Sequence, residues 1–211
     1  MAKELLNPDK ALIFRIVHKD NLSQVLQLGC HCRSTMAAQG GYVEIGNQEL
    51  IQKRTQRDVP CQPGGTLSDY VPFYFTPYTP MLYNIKTGYG VPQKPLEDIV
   101  ILVSSLKRMK KQGIPFVFTD RHAYLKTAQF SNDLDDLNWI IWNVLQARDF
   151  KKDDLEKFEK YQAEALIYQH VPVSALIGIA CYSPTARDHV QQLAAQHGTA
   201  VEIIAQRSWF L

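Results

Sequence analysis

Long apolar runs are missing from this chain: nothing approaches the roughly 20 residues that a membrane-spanning helix needs. Met1–Lys10 is polar, without the apolar middle of a secretory signal. Cysteine is scarce, with four in 211 residues, and Cys30 and Cys32 stand one residue apart, which is not a zinc spacing. Reduced thiols and a cytoplasmic location are therefore expected, with no membrane partner. No His-x-x-x-His pair occurs among the six histidines, so no metal site is expected. There is no Gly-x-Gly-x-x-Gly after a strand, no phosphate loop ending in Gly-Lys-Ser/Thr and no Gly-x-Ser-x-Gly elbow. A dinucleotide, if bound, is therefore not held in the Rossmann manner, and no nucleophile elbow is present. Charge of one sign is also wanting: the net charge is +2, too small by itself to argue for a nucleic-acid partner.

The chain does have size and apolar content. At 211 residues with 45% hydrophobic residues it can bury a real core, and no linker or repeat divides it, so residues 1–211 read as one domain. Strands are expected at Ala11–His18, Tyr70–Phe75, Ile99–Ser104, Pro115–Thr119, Gly178–Tyr182 and Thr199–Arg207. Helices are expected from Asp20 to a stop at Gly29, over Asn47–Arg57, Ser105–Gln112 and Thr185–His197, and over Asp153–Tyr161 with Asp153 or Asp154 as cap. Arg33–Gly46 reads as irregular, with Gly40-Gly41 marking a turn or lid. Glu164–Pro172 is ambiguous between helix and strand. The order is mixed, without a regular βαβ repeat.

One stretch dominates. Asp69–Tyr83 is dense in aromatic rings and reads as a buried strand running into a rigid loop at Pro77 and Pro80. It is either an edge strand with a proline-rich turn or a pocket floor whose rings stack a base or a cofactor. Asp120–Ala163 is a long polar stretch, a length usually reserved for function. Lys107–Lys126 holds six Lys/Arg against one acid, and reads equally as a solvated face or a phosphate-steering surface.

Three separated polar residues remain. His18 ends the first strand, Arg54 sits on a short basic helix, and Glu164 interrupts a run that otherwise wants burial. Each alone has a structural explanation: a hydrogen-bonded histidine, a solvated arginine, an exposed helix position.

Taken with their surroundings these residues resemble the DarT toxins, bacterial enzymes that ADP-ribosylate DNA. The resemblance rests on His18 followed by Asn21-Leu22, on Ile51-x-x-Arg54 and on the block Tyr70–Tyr83. Thr119-Asp-Arg-His122 and Gln162-Ala-Glu164-Ala-Leu166 complete it. It implies an α+β, ADP-ribosyltransferase-like fold: a split, mostly antiparallel β core with peripheral helices and NAD⁺ in the cleft. It implies transfer of ADP-ribose from NAD⁺ to a base in single-stranded DNA, thymine in one branch and guanine in another, the aromatic block being nearer the thymine branch. Transfer to RNA or protein is the alternative. Glu164 is the implied catalytic carboxylate, stabilising an oxocarbenium-like ribose carbon as neutral nicotinamide departs. Arg54 is implied at the NAD⁺ phosphates and the reacting centre, His18 and Asn21 in NAD⁺ binding, and Tyr74, Met81 and His122 at the DNA. A macrodomain antitoxin is the implied partner, and a monomer the implied state.

Overall fold

A computed structural model describes residues 2–36 and 41–210. In chain order it contains α1 (Ala2–Leu5), β1 (Leu12–His18), α2 (Leu22–Leu28), β2 (Cys30–His31), α3 (Arg33–Met36) and α4 (Gln48–Arg54). Then come β3 (Tyr70–Tyr74), α5 (Pro80–Thr87), β4 (Ile99–Ser105), α6 (Leu106–Lys111), β5 (Phe116–Thr119) and β6 (Phe130–Ser131). The last third holds α7 (Trp142–Ala147), α8 (Leu155–Tyr161), β7 (Glu164–Tyr168), β8 (His170–Val171), β9 (Gly178–Cys181), α9 (Pro184–Gln196) and β10 (Glu202–Ala205).

Eight strands form one sheet in the order β10-β9-β4-β1-β3-β7-β5-β6, and β2 pairs with β8 beside it. Every pairing is antiparallel except β9 with β10. The sheet is split at its centre. β1 registers with β4 over its full length, from Leu12↔Ser105 to His18↔Ile99, whereas β1 and β3 share the single pair Phe14↔Tyr74. The α+β, mostly antiparallel split core is thus the observed fold, with helices at its periphery.

β4 is buried at every position, which its unbroken Ile-Val-Ile-Leu-Val run dictates. Burying each such side chain contributes roughly 1.5–3 kcal/mol before chain entropy is charged against it. In β3 burial alternates with the pleat: Val71 and Phe73 are fully buried and Phe75 beyond them likewise, while Tyr70, Pro72 and Tyr74 line a cavity. The aromatic block thus faces the core on one side and the cavity on the other.

β3 is not an edge strand: β1 and β7 flank it. A proline inside a central strand normally breaks a ladder. Pro72 escapes because its carbonyl points into the split, where it accepts from Arg15 Nη1 at 2.9 Å. In a strand the N–H of a residue points the same way as its C=O, so the missing donor falls where no β1 ladder exists. The rigid loop expected after β3 gives way to α5 at Pro80. Proline is tolerated at the first helical position, and Thr79 Oγ1 caps the helix by accepting from Leu82 N at 3.1 Å.

Two further regions differ from the sequence reading. Arg33–Gly46 begins with the short α3; Gly41 has φ +76°, while Gly40 lies outside the described residues. Asp120–Ala163 carries β6 and α7 besides the expected helix α8, and it seats on the aromatic block. Trp142 meets Phe75 edge-on with centroids 5.6 Å apart, and Tyr161 donates its hydroxyl to Tyr78 O at 2.9 Å. Asp154 is the cap of α8, accepting from Lys157 N at 3.0 Å. Glu164–Pro172 resolves as two short strands, β7 and β8. Among the described residues no helix is long and apolar enough to cross a membrane.

Candidate active site

Glu164 is the first residue of β7 and stands opposite Tyr74 of β3. It is 2% exposed. A buried carboxylate is costly without donors, and this one has them. Arg54 Nη1, from the last turn of α4, donates to Oε2 at 2.9 Å. The Ala123 N–H donates to Oε1 at 3.0 Å. Thr119 Oγ1 accepts from the Glu164 N–H at 3.2 Å, so the backbone is held as well. Burial pushes the carboxyl up; the Arg54 guanidinium, His122 and the Ala123 N–H outweigh it and hold the group below the usual carboxylate range.

His122 Nδ1 lies 3.5 Å from Glu164 Oε1. That nitrogen accepts from the Tyr124 N–H at 3.2 Å, so in the neutral ring the proton sits on Nε2. Burial lowers the His122 pKa, Glu164 opposes this, and Arg54 adds to it; the net direction is down. At neutral pH His122 is an uncharged donor beside an ionised carboxylate. Tyr74 donates to Met81 Sδ at 3.7 Å. Burial and then Glu164 raise the Tyr74 pKa against the pull of Arg54 and Arg15, so the phenol stays protonated.

These residues line one cavity of about 850 Å³, near the upper end of the ~300–1,000 Å³ of small-molecule sites and roomy enough for a dinucleotide. Two of its cations keep unused donors: Arg54 Nη2 and Arg15 Nε are buried without a hydrogen-bond partner among the described residues. Arg148 also lines it, its guanidinium 3.7 Å from the Tyr78 ring centroid.

Of the residues expected from sequence, Glu164, Arg54, Tyr74, Met81 and His122 come together on this cavity. His18 and Asn21 are not among its lining residues. His18 Nδ1 accepts from Asp20 N at 3.3 Å. Asn21 is 2% exposed and grips Val43 twice, accepting from its N–H at 2.8 Å and donating to its carbonyl at 2.9 Å. It thereby fixes the strand of chain that carries Ile45, Gly46 and Asn47 into the cavity wall. Of the basic stretch Lys107–Lys126 only His122 reaches the cavity; Arg108 is engaged by Ser174 O and Arg121 by two carboxylates. Among the described residues no group of three or more His, Cys, Asp or Glu is placed to hold a metal.

Sequence reasoning missed Arg15 and the Ala123 N–H. Arg15 did leave a signal, the one charge inside Leu-Ile-Phe-Arg-Ile-Val, of the same kind that marked Glu164. The N–H leaves none, since any residue but proline supplies it.

Comparison with known proteins agrees with this geometry. Residues 14–211 match the family model described as ssDNA thymidine ADP-ribosyltransferase, DarT. A DNA ADP-ribosyl transferase of Escherichia coli O127:H6 (strain E2348/69 / EPEC) is 49% identical over 208 residues, covering 97% of this chain and 95% of that protein. A DNA ADP-ribosyl transferase of Thermus sp. (strain 2.9) is 36% identical, covering 96% of this chain and 97% of that protein. Among solved structures, Thermus sp. 2.9 DarT in complex with ADP-ribosylated ssDNA superposes with a TM-score of 0.91 at 35% identity, covering 97% of this chain and 98% of that one. The same protein in complex with NAD⁺ gives 0.86, covering 97% and 99%. The chain belongs to the DarT family, the ssDNA thymidine ADP-ribosyltransferases.

Proposed function

We propose that this chain transfers ADP-ribose from NAD⁺ to the thymine of single-stranded DNA, with Glu164 and Arg54 as its catalytic pair. The observation that carries the reading is a buried, ionised carboxylate on the wall of a large cavity, gripped by a guanidinium that retains a free nitrogen. NAD⁺ fits the donor set as substrate. Its diphosphate suits Arg15 and Arg54, whose unused N–H groups point to an anionic ligand. NAD⁺ supplies the ADP-ribosyl group, and nicotinamide departs neutral, so no general acid is required of the protein.

Glu164 provides fixed negative charge where the ribose carbon becomes electron-poor, and its remaining lone pairs accept from the ribose 2′-hydroxyl. The charge needs no reorganisation, because Arg54 and the Ala123 N–H already hold it in place. Arg54 acts by position and charge, favouring the deprotonated form of the attacking base rather than removing its proton. Tyr74 and Met81 supply ring and thioether surface for a splayed base. His122, with its proton on Nε2, supplies a neutral donor to the base edge.

His18 and Asn21 support NAD⁺ binding from behind the wall in this reading, Asn21 by holding Val43. A single eight-stranded sheet that contains both β1 and β10 supports residues 1–211 as a single domain. Family membership supports a toxin with a macrodomain antitoxin, and a monomer acting in the cytoplasm. The reading is tested by incubating the protein with labelled NAD⁺ and a mixed single-stranded oligonucleotide or its thymine-free version. Label appearing on the protein alone, or equally on both oligonucleotides, would overturn it.

A further inference from the structure

The turn after β5 makes more connections than a surface turn needs. Arg121 Nε donates to Asp120 Oδ2 at 3.1 Å and its Nη1 to Glu159 Oε2 at 3.2 Å. The side chains of Arg121 and Asp120 are 16% and 7% exposed, that of Glu159 24%. Asp120 Oδ1 in turn accepts from the Gln129 N–H at 2.9 Å. The His122 N–H reaches the Glu159 carbonyl at 3.3 Å, and Thr119 Oγ1 donates to the Arg121 carbonyl at 2.6 Å while accepting from Glu164 N. One guanidinium thus ties together the turn 119–123, the chain before β6 and helix α8. The same turn delivers the Ala123 N–H and the His122 ring to Glu164.

We infer that Arg121 is a positioning residue: by bridging Asp120 and Glu159 it locks the Ala123 N–H onto the catalytic carboxylate and couples that carboxylate to the α7–α8 segment. The inference rests on Glu164 being catalytic, as proposed above. Two features separate this role from an ordinary surface ion pair. Arg121 spans two carboxylates on different segments, whereas exposed pairs such as Lys53–Glu49 and Lys160–Glu156 close within one helix. Its bridge also stands one residue from His122 and two from the N–H that Glu164 uses. Loosening it lets the turn drift, and displacements near 1 Å at a catalytic group cost up to about a hundredfold in rate.

The groups facing Glu164 are Arg54 from α4, Tyr74 from β3, and His122 with the Ala123 N–H from the turn. Only the last two depend on Arg121. Removing the bridge should therefore raise the acid limb of the rate profile while Arg54 keeps the carboxylate bound.

The test measures kcat and KM for NAD⁺ between pH 4 and 8, with a thymine-containing oligonucleotide, for wild type, R121M, R121K, E159Q and R121M/E159Q. For R121M the expected result is a kcat lower by about tenfold or more, a KM for NAD⁺ within about twofold, and an acid limb higher by about one pH unit. E159Q moves the same way by less, the double variant is no worse than R121M, and R121K recovers most of the loss. A lowered Tm with wild-type kcat and acid limb per folded molecule would make Arg121 a structural strut and overturn the inference. Should R121M not fold, E159Q alone decides by the position of its acid limb. E164Q runs in parallel: if it turns over normally, the site reading itself fails; if it is inactive while R121M and E159Q match wild type, only this inference does.

Discussion

Arg54 Nη1 and Glu164 Oε2 lie 2.9 Å apart although 110 residues separate them in the chain. The contact joins the last turn of α4 to the first residue of β7 on the wall of the cavity. Its geometry leaves Arg54 Nη2 without a hydrogen-bond partner among the described residues. A lysine can make the first contact but has no second planar nitrogen to offer the ligand. Arg54→Lys should keep the fold and lose about a hundredfold or more in kcat/KM for NAD⁺ with DNA, measured by label transfer. A loss below threefold would mean that charge alone suffices there.

His122 and Glu164 set two separate pH windows for stability. The folded pKa of His122 lies below its ordinary 6.5, so the unfolded chain takes up the proton first. Its contribution is present above pH 6.5 and is lost as pH falls through the folded value, at up to about 1.4 kcal/mol per pH unit. Glu164, held below its ordinary 4.5, contributes above that value and loses its contribution further down. Thermal unfolding between pH 8 and 5 should therefore show Tm falling below pH 6.5 in wild type and less steeply in His122→Asn. Parallel curves would refute the placement of a neutral, half-buried His122.

Arg15 offers a contrast between stability and function. Among the described residues no carboxylate pairs with it: Nη1 reaches Pro72 O, Tyr42 bonds the guanidinium, and Nε stays unpaired. Replacing it by methionine removes a charge that burial disfavours and Tyr42 and Tyr74 favour, together with the bond to Pro72 O, so Tm should change little. The KM for NAD⁺ should rise about ten- to a hundredfold, the loss of a charge-assisted hydrogen bond. An unchanged KM would remove Arg15 from the diphosphate site.

Asn21 acts on the cavity through Val43. Asn21→Ala breaks two buried hydrogen bonds and should cost about 1–3 kcal/mol in denaturant unfolding, with a higher KM for NAD⁺. If KM rises while stability stays at wild type, Asn21 touches the ligand directly.

Much of the fold was legible because single residues contradicted their neighbours or agreed with them throughout. The unbroken apolar run of β4 allowed one reading. Glu164 stood out as a lone carboxylate in a buried run, and the family motifs drew Arg54, Tyr74, Met81 and His122 to it. α5 was hidden because proline is read as punctuation, whereas Pro80 opens a helix that Thr79 caps. The edge-strand alternative for the aromatic block failed because β3 is central, and only the split between β1 and β3 makes Pro72 harmless there. His18 and Asn21 were named by motif, yet neither lines the cavity: His18 caps the turn after β1 through Asp20 N, and the bonds of Asn21 to Val43 join residues 22 apart, which no local pattern encodes.

The most direct test pairs wild type with Glu164→Gln in one assay. Both are given labelled NAD⁺ and a thymine-containing or thymine-free single-stranded oligonucleotide. The account predicts label on the thymine-containing strand with wild type alone, and a folded Glu164→Gln protein that transfers none. Turnover by that variant at the wild-type rate would contradict it.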